Sequence, residues 1–108
     1  MPAPPLIITP GEPAGIGTEI SLKAWQAGVK NICLMGSPDH IAQTAHSLGI
    51  MDNFYEISGP SFYDYDTSAL AIIPVTWKKM PTAGHPDPMN SPAVIEAIRQ
   101  AVLWSQSG

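Results

Sequence analysis

Ile8-Thr9-Pro10-Gly11-Glu12-Pro13-Ala14-Gly15-Ile16-Gly17-Thr18-Glu19 packs an apolar run, a turn dense in glycine and proline and the start of a helical pattern into one short stretch. Leu6–Thr9 reads as a short buried strand bounded by Pro10-Gly11. From about Thr18 to Ala27 the pattern turns helical, with Ile20, Ala24 and Ala27 on one face and Gly28 as the stop. Strand end, tight turn and helix start make a βα unit. In open α/β sheets, ligands bind beyond the carboxyl ends of the strands. Glycines let backbone approach a ligand closely, and the N–H groups of a first helical turn attract anions. The stretch lacks the G-x-G-x-x-G spacing of a dinucleotide fingerprint and the Gly-Lys-Ser/Thr of a P-loop. Glu12 also argues against a simple phosphate cradle, because its carboxylate repels phosphate. It suits accepting a hydrogen bond from a hydroxyl or amide, or holding the loop. The competing reading is a tight βα turn with no ligand.

Downstream, Asn31–Met35 is a second apolar run, ending at Gly36. Ser37-Pro38-Asp39 opens a helix: Ser accepts from a free N–H, Pro fits the first turn, and Asp complements the positive end of the dipole. Ile41, Ala42, Ala45 and Leu48 share one face of it, and Gly49 ends it. Phe54–Ile57 and Leu70–Val75 are further strand candidates, with Ser58–Ser68 as a loop between them. Trp77–Asn90 is a proline-laden connection. Ser91-Pro92 opens a last helix, expected to bury Val94, Ile95, Ile98, Ala101 and Val102. The first strands are short continuous apolar runs rather than alternating ones. That pattern predicts an α/β fold of three layers, a mostly parallel sheet with helices on both faces. The last helix carries an apolar stripe that needs a sheet to cover, so the sequence is expected to be a truncated piece of a longer protein.

The 108 residues allow one domain at most. Charged residues make up 13%, against about 25% in an average soluble domain. Much of the surface is therefore expected to be covered by a second domain, a partner subunit or further chain. Five basic residues among nine acidic ones give no electrostatic footprint for nucleic acid. Residues 1–5 read as a frayed proline-rich leader rather than a signal peptide. No run approaches the ~18 apolar residues of a membrane span. Cys33 is the lone cysteine, in an apolar run where an inert buried thiol is expected, and a cytoplasmic setting fits.

The remaining chemistry-bearing residues read blandly. His40 and His46 sit on one helix at a spacing that points them to different faces, so they cannot form an i, i+4 metal pair. His85 lies in the proline-rich connection. Trp25, Trp77 and Trp104 suit interface packing, Lys78-Lys79 is a solvated pair, and Asp64 and Asp66 flank Tyr65 in a loop.

Ile8 to Glu19 resembles the N-terminal motif of the 4-hydroxythreonine-4-phosphate dehydrogenase family, I-T-P-G-E-P-A-G-I-G-P-E, departing from it at Thr18, where the family has Pro. A shorter relative of the motif, G-D-G-I-G-P-E, opens the isocitrate and isopropylmalate dehydrogenases, so the resemblance implies an isocitrate/isopropylmalate dehydrogenase-like fold, incomplete in this chain. Leu70–Val75 and Thr82-Ala83-Gly84 through Asn90 resemble later family segments more loosely, with Ser91 where a glycine is common. The resemblance implies that residues 1–108 are the N-terminal part of a larger α/β dehydrogenase. It further implies an NAD- or NADP-dependent oxidation and decarboxylation of 4-phosphooxy-L-threonine to 3-amino-2-oxopropyl phosphate, in pyridoxal phosphate (vitamin B6) synthesis. A divalent metal (Zn, Mg or Co) would be held by ligands outside this chain, and the intact protein would be a homodimer. Gly11, Glu12, Pro13, Gly15 and Gly17 are the residues expected to wall the cleft on its cofactor or substrate side, with no catalytic or metal residue in this chain. The alternatives are a related dehydrogenase acting on a phosphorylated four-carbon sugar acid or an aromatic diol, and a non-catalytic binding module.

Overall fold

The computed structural model describes residues 5–9, 15–50, 53–64, 68–82 and 84–106. Four strands, β1 (Leu6–Ile8), β2 (Ile32–Gly36), β3 (Phe54–Glu56) and β4 (Leu70–Pro74), form one sheet in the order β1-β2-β4-β3. Every pairing is parallel: Ile7 lies opposite Cys33, Leu34 opposite Ile72, and Tyr55 opposite Ala71. Among the described residues three helices accompany them, α1 (Gly17–Gln26), α2 (Pro38–Ser47) and α3 (Ser91–Gln106).

The strands are apolar throughout because both faces are covered. Alternate residues divide between two cores. Leu22 and Trp25 of α1 and Ile41 and Ala45 of α2 pack with Ile32, Leu34, Leu70 and Ile72 on one face. Ala97 and Ala101 of α3 pack with Cys33, Met35, Ala71 and Ile73 on the other. The three-layer α/β arrangement expected from the sequence is therefore present. Crossovers of one hand, stepping outward through α1 and α2, require the return from β3 to β4 to run over the opposite face. Ile57 and Tyr63, which lie in that return, pack on the α3 side.

Helix ends follow local chemistry. Both α1 and α2 close with a glycine in the left-handed region, Gly28 at φ 118° and Gly49 at φ 69°. The flanking amides complete the pattern: Gly49 N–H donates to His46 O and Ile50 N–H to Ala45 O, with the same pair of bonds from Gly28 and Val29 to Trp25 and Ala24.

Four expectations need correction. β1 is an edge strand rather than a buried one, and Leu6 is 68% exposed. α1 buries Thr18, Ser21, Leu22 and Trp25, while Ile20 points outward. Ser21 can sit inside because its hydroxyl donates to Gly17 O at 2.8 Å. Trp25 is thereby a core residue and not an interface one. On α3 only Ala97 and Ala101 are buried; Ile95, Ile98 and Val102 of the predicted stripe are exposed. The two connections read as loops each contain one 3-10 turn, Pro60–Phe62 and Pro88–Asn90.

Candidate functional site

The carboxyl ends of β1, β2 and β4 converge on one edge of the sheet. β1 ends at Ile8 and α1 begins at Gly17, β2 leads through Gly36 and Ser37 into α2, and β4 leads into Val75 and Thr76. The pairing of β2 and β4 runs to their very ends, since Val75 N–H donates to Gly36 O at 2.9 Å. Beyond that point the two chains part: β2 feeds α2 on one face, and β4 feeds the connection to α3 on the other. Such a divergence between adjacent parallel strands leaves a crevice at their carboxyl ends, where α/β proteins bind ligands.

A cleft of about 370 Å³ occupies this position on the α3 side. Its floor is Met35 and Ile73, and its polar lining is Ser58, Thr76, Glu96 and Gln100. The sequence reading missed all four polar residues. They come from three separate segments, and no local pattern marks any of them.

Of the expected site residues, Gly15 and Gly17 are exposed at the mouth of α1, and Gly17 is its first residue. Gly11, Glu12 and Pro13 lie outside the described residues. Ile16 occupies the N-cap position and offers no side-chain cap. Among the described residues, no side chain caps the first-turn N–H groups of α1, which have no partner within the helix and suit a polar ligand. Glu19, in the same turn, partly offsets their positive end and pairs with Lys23 at 3.2 Å on the surface.

The second helix mouth is capped. The Ser37 hydroxyl accepts from His40 N–H at 3.4 Å, with Pro38 in the first turn as the sequence reading expected. Desolvation holds the half-buried His40 imidazole below its ordinary 6.5, so it is neutral near pH 7. His46 and His85 are exposed elsewhere. Among the described residues no three His, Cys, Asp or Glu side chains come together in a group able to hold a metal ion. The described residues thus do not fit a metal centre. Cys33 is fully buried and burial pushes its thiol up to about 11, which agrees with an inert packing role. No described helix is long and apolar enough to cross a membrane.

No protein-family model matches the sequence. Curated relatives do. A 4-hydroxythreonine-4-phosphate dehydrogenase from Roseobacter denitrificans is 36% identical over 107 residues, covering 96% of this chain and 31% of that protein. One from Paracoccus denitrificans is 38% identical over 107 residues, covering 98% of this chain and 30% of its own length. Among solved structures, a 4-hydroxythreonine-4-phosphate dehydrogenase from Burkholderia phymatum superimposes with a TM-score of 0.81 at 22% identity, over 100% of this chain and 34% of that one. A putative one from Salmonella typhimurium also gives 0.81, at 18% identity, over 99% of this chain and 35% of that one. The structural match establishes the fold. The chain spans about a third of the length of the relatives it matches.

Proposed function

We propose that this chain, similar along its whole length to 4-hydroxythreonine-4-phosphate dehydrogenases, supplies one wall of the active-site cleft of such an oxidoreductase. The observation that carries the reading is the coincidence of two findings. The sequence that resembles the family motif begins in the parallel strand β1 and ends in α1, and the fold superimposes on solved 4-hydroxythreonine-4-phosphate dehydrogenase structures. In this reading the complete enzyme moves a hydride from the secondary alcohol of 4-phosphooxy-L-threonine to NAD or NADP. The resulting β-keto acid then loses carbon dioxide, leaving 3-amino-2-oxopropyl phosphate for pyridoxal phosphate synthesis. The working protein is a cytoplasmic homodimer.

This chain's share of that work is binding and positioning. Gly11, Gly15 and Gly17 keep the turn free of Cβ atoms so that backbone can approach the ligand. The uncapped first turn of α1 offers N–H donors to it. Glu12 accepts a hydrogen bond from a ligand hydroxyl or amide. Any divalent metal takes its ligands from polypeptide other than the described residues.

The test joins this chain, after Gly108, to the unmatched part of the Roseobacter denitrificans protein and follows reduction of NAD and NADP. Phosphooxythreonine, a phosphorylated four-carbon sugar acid and an aromatic diol are compared as substrates. Turnover of phosphooxythreonine above the other two supports the proposal. Preference for either alternative, or a folded chimera inert towards all three, overturns it.

A further inference from the structure

Thr76 lines the cleft between two fixed points of the chain. Immediately before it, Val75 N–H donates to Gly36 O, which fastens the end of β4 to the end of β2. Three residues after it, Lys79 is held by the side chain of Asn90. Asn90 Oδ1 accepts from Lys79 N–H, and Asn90 Nδ2 donates to Lys79 O. A carboxamide that bonds both backbone groups of one residue acts as a neighbouring strand would, and a slip of one residue breaks both bonds. Asn90 is buried, and α3 begins at the next residue. The grip therefore sets the chain after β4 in register with the first turns of α3. Ala93, Glu96, Ala97 and Gln100 of that helix line the same cleft as Thr76. Among the described residues the Thr76 hydroxyl has no hydrogen-bond partner, so it is open to a ligand.

We infer that Asn90 is a positioning residue of this cleft: through Lys79 it keeps Thr76 in register with Glu96 and Gln100, where the Thr76 hydroxyl bonds a bound ligand. The inference rests on the proposed reading of the cleft as part of an active site. The lining narrows which part of a ligand is held there. Ser58, Thr76 and Gln100 are uncharged, and Glu96 carries a carboxylate that also pairs with Arg99 at the surface. Among the described residues no Lys, Arg or His lines the cleft. Such a lining takes hydroxyl and amide groups and leaves phosphate to other polypeptide. A hydrogen bond weakens steeply with distance and angle. A slip of one residue, about 3.3 Å along extended chain, is therefore enough to lose the Thr76 contact. An apolar residue in place of Asn90 would fill the space without setting the register.

The experiment has two arms. In the Roseobacter chimera, kcat and KM for phosphooxythreonine and for NAD are measured in Asn90→Ala, Thr76→Val and the double variant, well below the melting temperature of each. Ile32→Val, which loosens the core at the amino end of β2, controls for lost stability alone. Asn90→Ala and Thr76→Val are each expected to lower kcat/KM by about three- to tenfold, and the double variant by no more than either. Additive losses, or an equal loss in Ile32→Val, overturn the inference, because a merely structural Asn90 would not act through Thr76. In the 108-residue chain, amide exchange at Val75 is expected to speed up in Asn90→Ala by about fivefold or more beyond any change at Leu34 in β2. No excess at Val75 also overturns the inference. Where Asn90→Ala does not fold, Asn90→Asp, which keeps an acceptor for Lys79 N–H and loses the donor to Lys79 O, replaces it in both arms. The second arm needs no substrate: a chimera inert towards phosphooxythreonine sinks the proposed function, and exchange at Val75 still decides whether Asn90 holds the Thr76 segment.

Discussion

The side-chain amide of Asn90 holds the backbone of Lys79 at both ends. Lys79 N–H donates to Asn90 Oδ1 at 3.0 Å, and Asn90 Nδ2 donates to Lys79 O at 2.9 Å. Asn90 is 1% exposed and sits immediately before α3, so this pair ties the long connection after β4 to the start of the helix above the cleft. Asn90→Ala would strand both Lys79 groups. The expected cost is about 1–3 kcal/mol, read as a lower urea midpoint with an unchanged slope. An unaltered midpoint would show that water replaces the amide without loss.

Gly36 is constrained by packing. A Cβ there would stand 3.0 Å from Ile41 Cδ1, and Ile41 is itself in the core. Gly36→Ala should destabilise by about 1–3 kcal/mol through overpacking. Ile41→Val removes the offending methyl, so the penalty of Gly36→Ala should shrink in that background. A double-mutant cycle with additive effects would contradict the account.

Among the described residues, burial displaces Cys33 and His40 from their ordinary values, and each ties stability to pH. The Cys33 thiol is raised from 9.0 to about 11, so the unfolded chain loses this proton first on titrating upwards. Stability should fall as pH rises from about 9 to 11, and Cys33→Ala should flatten that slope. His40 is displaced the other way by desolvation. Below about pH 6.5 the unfolded chain gains this proton first, so stability should fall with falling pH and His40→Gln should reduce the fall. Chemical denaturation across the range reads both.

The sequence made α2 legible because each of its signals is local. Ser37-Pro38-Asp39 opens the helix, Ile41 and Ala45 mark its buried face, and Gly49 closes it. The two-sided sheet was legible from the unbroken apolar runs of β2 and β4. The buried face of α1 was not. Ile20, Ala24 and Ala27 look like a stripe, yet Thr18, Ser21, Leu22 and Trp25 are the buried set, and nothing local reveals that the Ser21 hydroxyl finds Gly17 O. The edge position of β1 was hidden for a similar reason, since strand order is a property of the whole sheet. Gly17 opens α1 and Gly15 precedes it, both exposed, whereas Gly11, Glu12 and Pro13 of the motif lie outside the described residues. The polar lining from Ser58, Thr76, Glu96 and Gln100 depends on the approach of distant segments.

The most direct measurement of the central claim is NADH formation from phosphooxythreonine by the chimera, by its Glu12→Gln variant and by the 108-residue chain alone. The account predicts turnover by the chimera, none by the 108-residue chain, and a kcat/KM lowered by about tenfold or more in Glu12→Gln, in line with losing a charged hydrogen-bond acceptor at the ligand. Full activity of Glu12→Gln, or turnover by the 108-residue chain on its own, would contradict it.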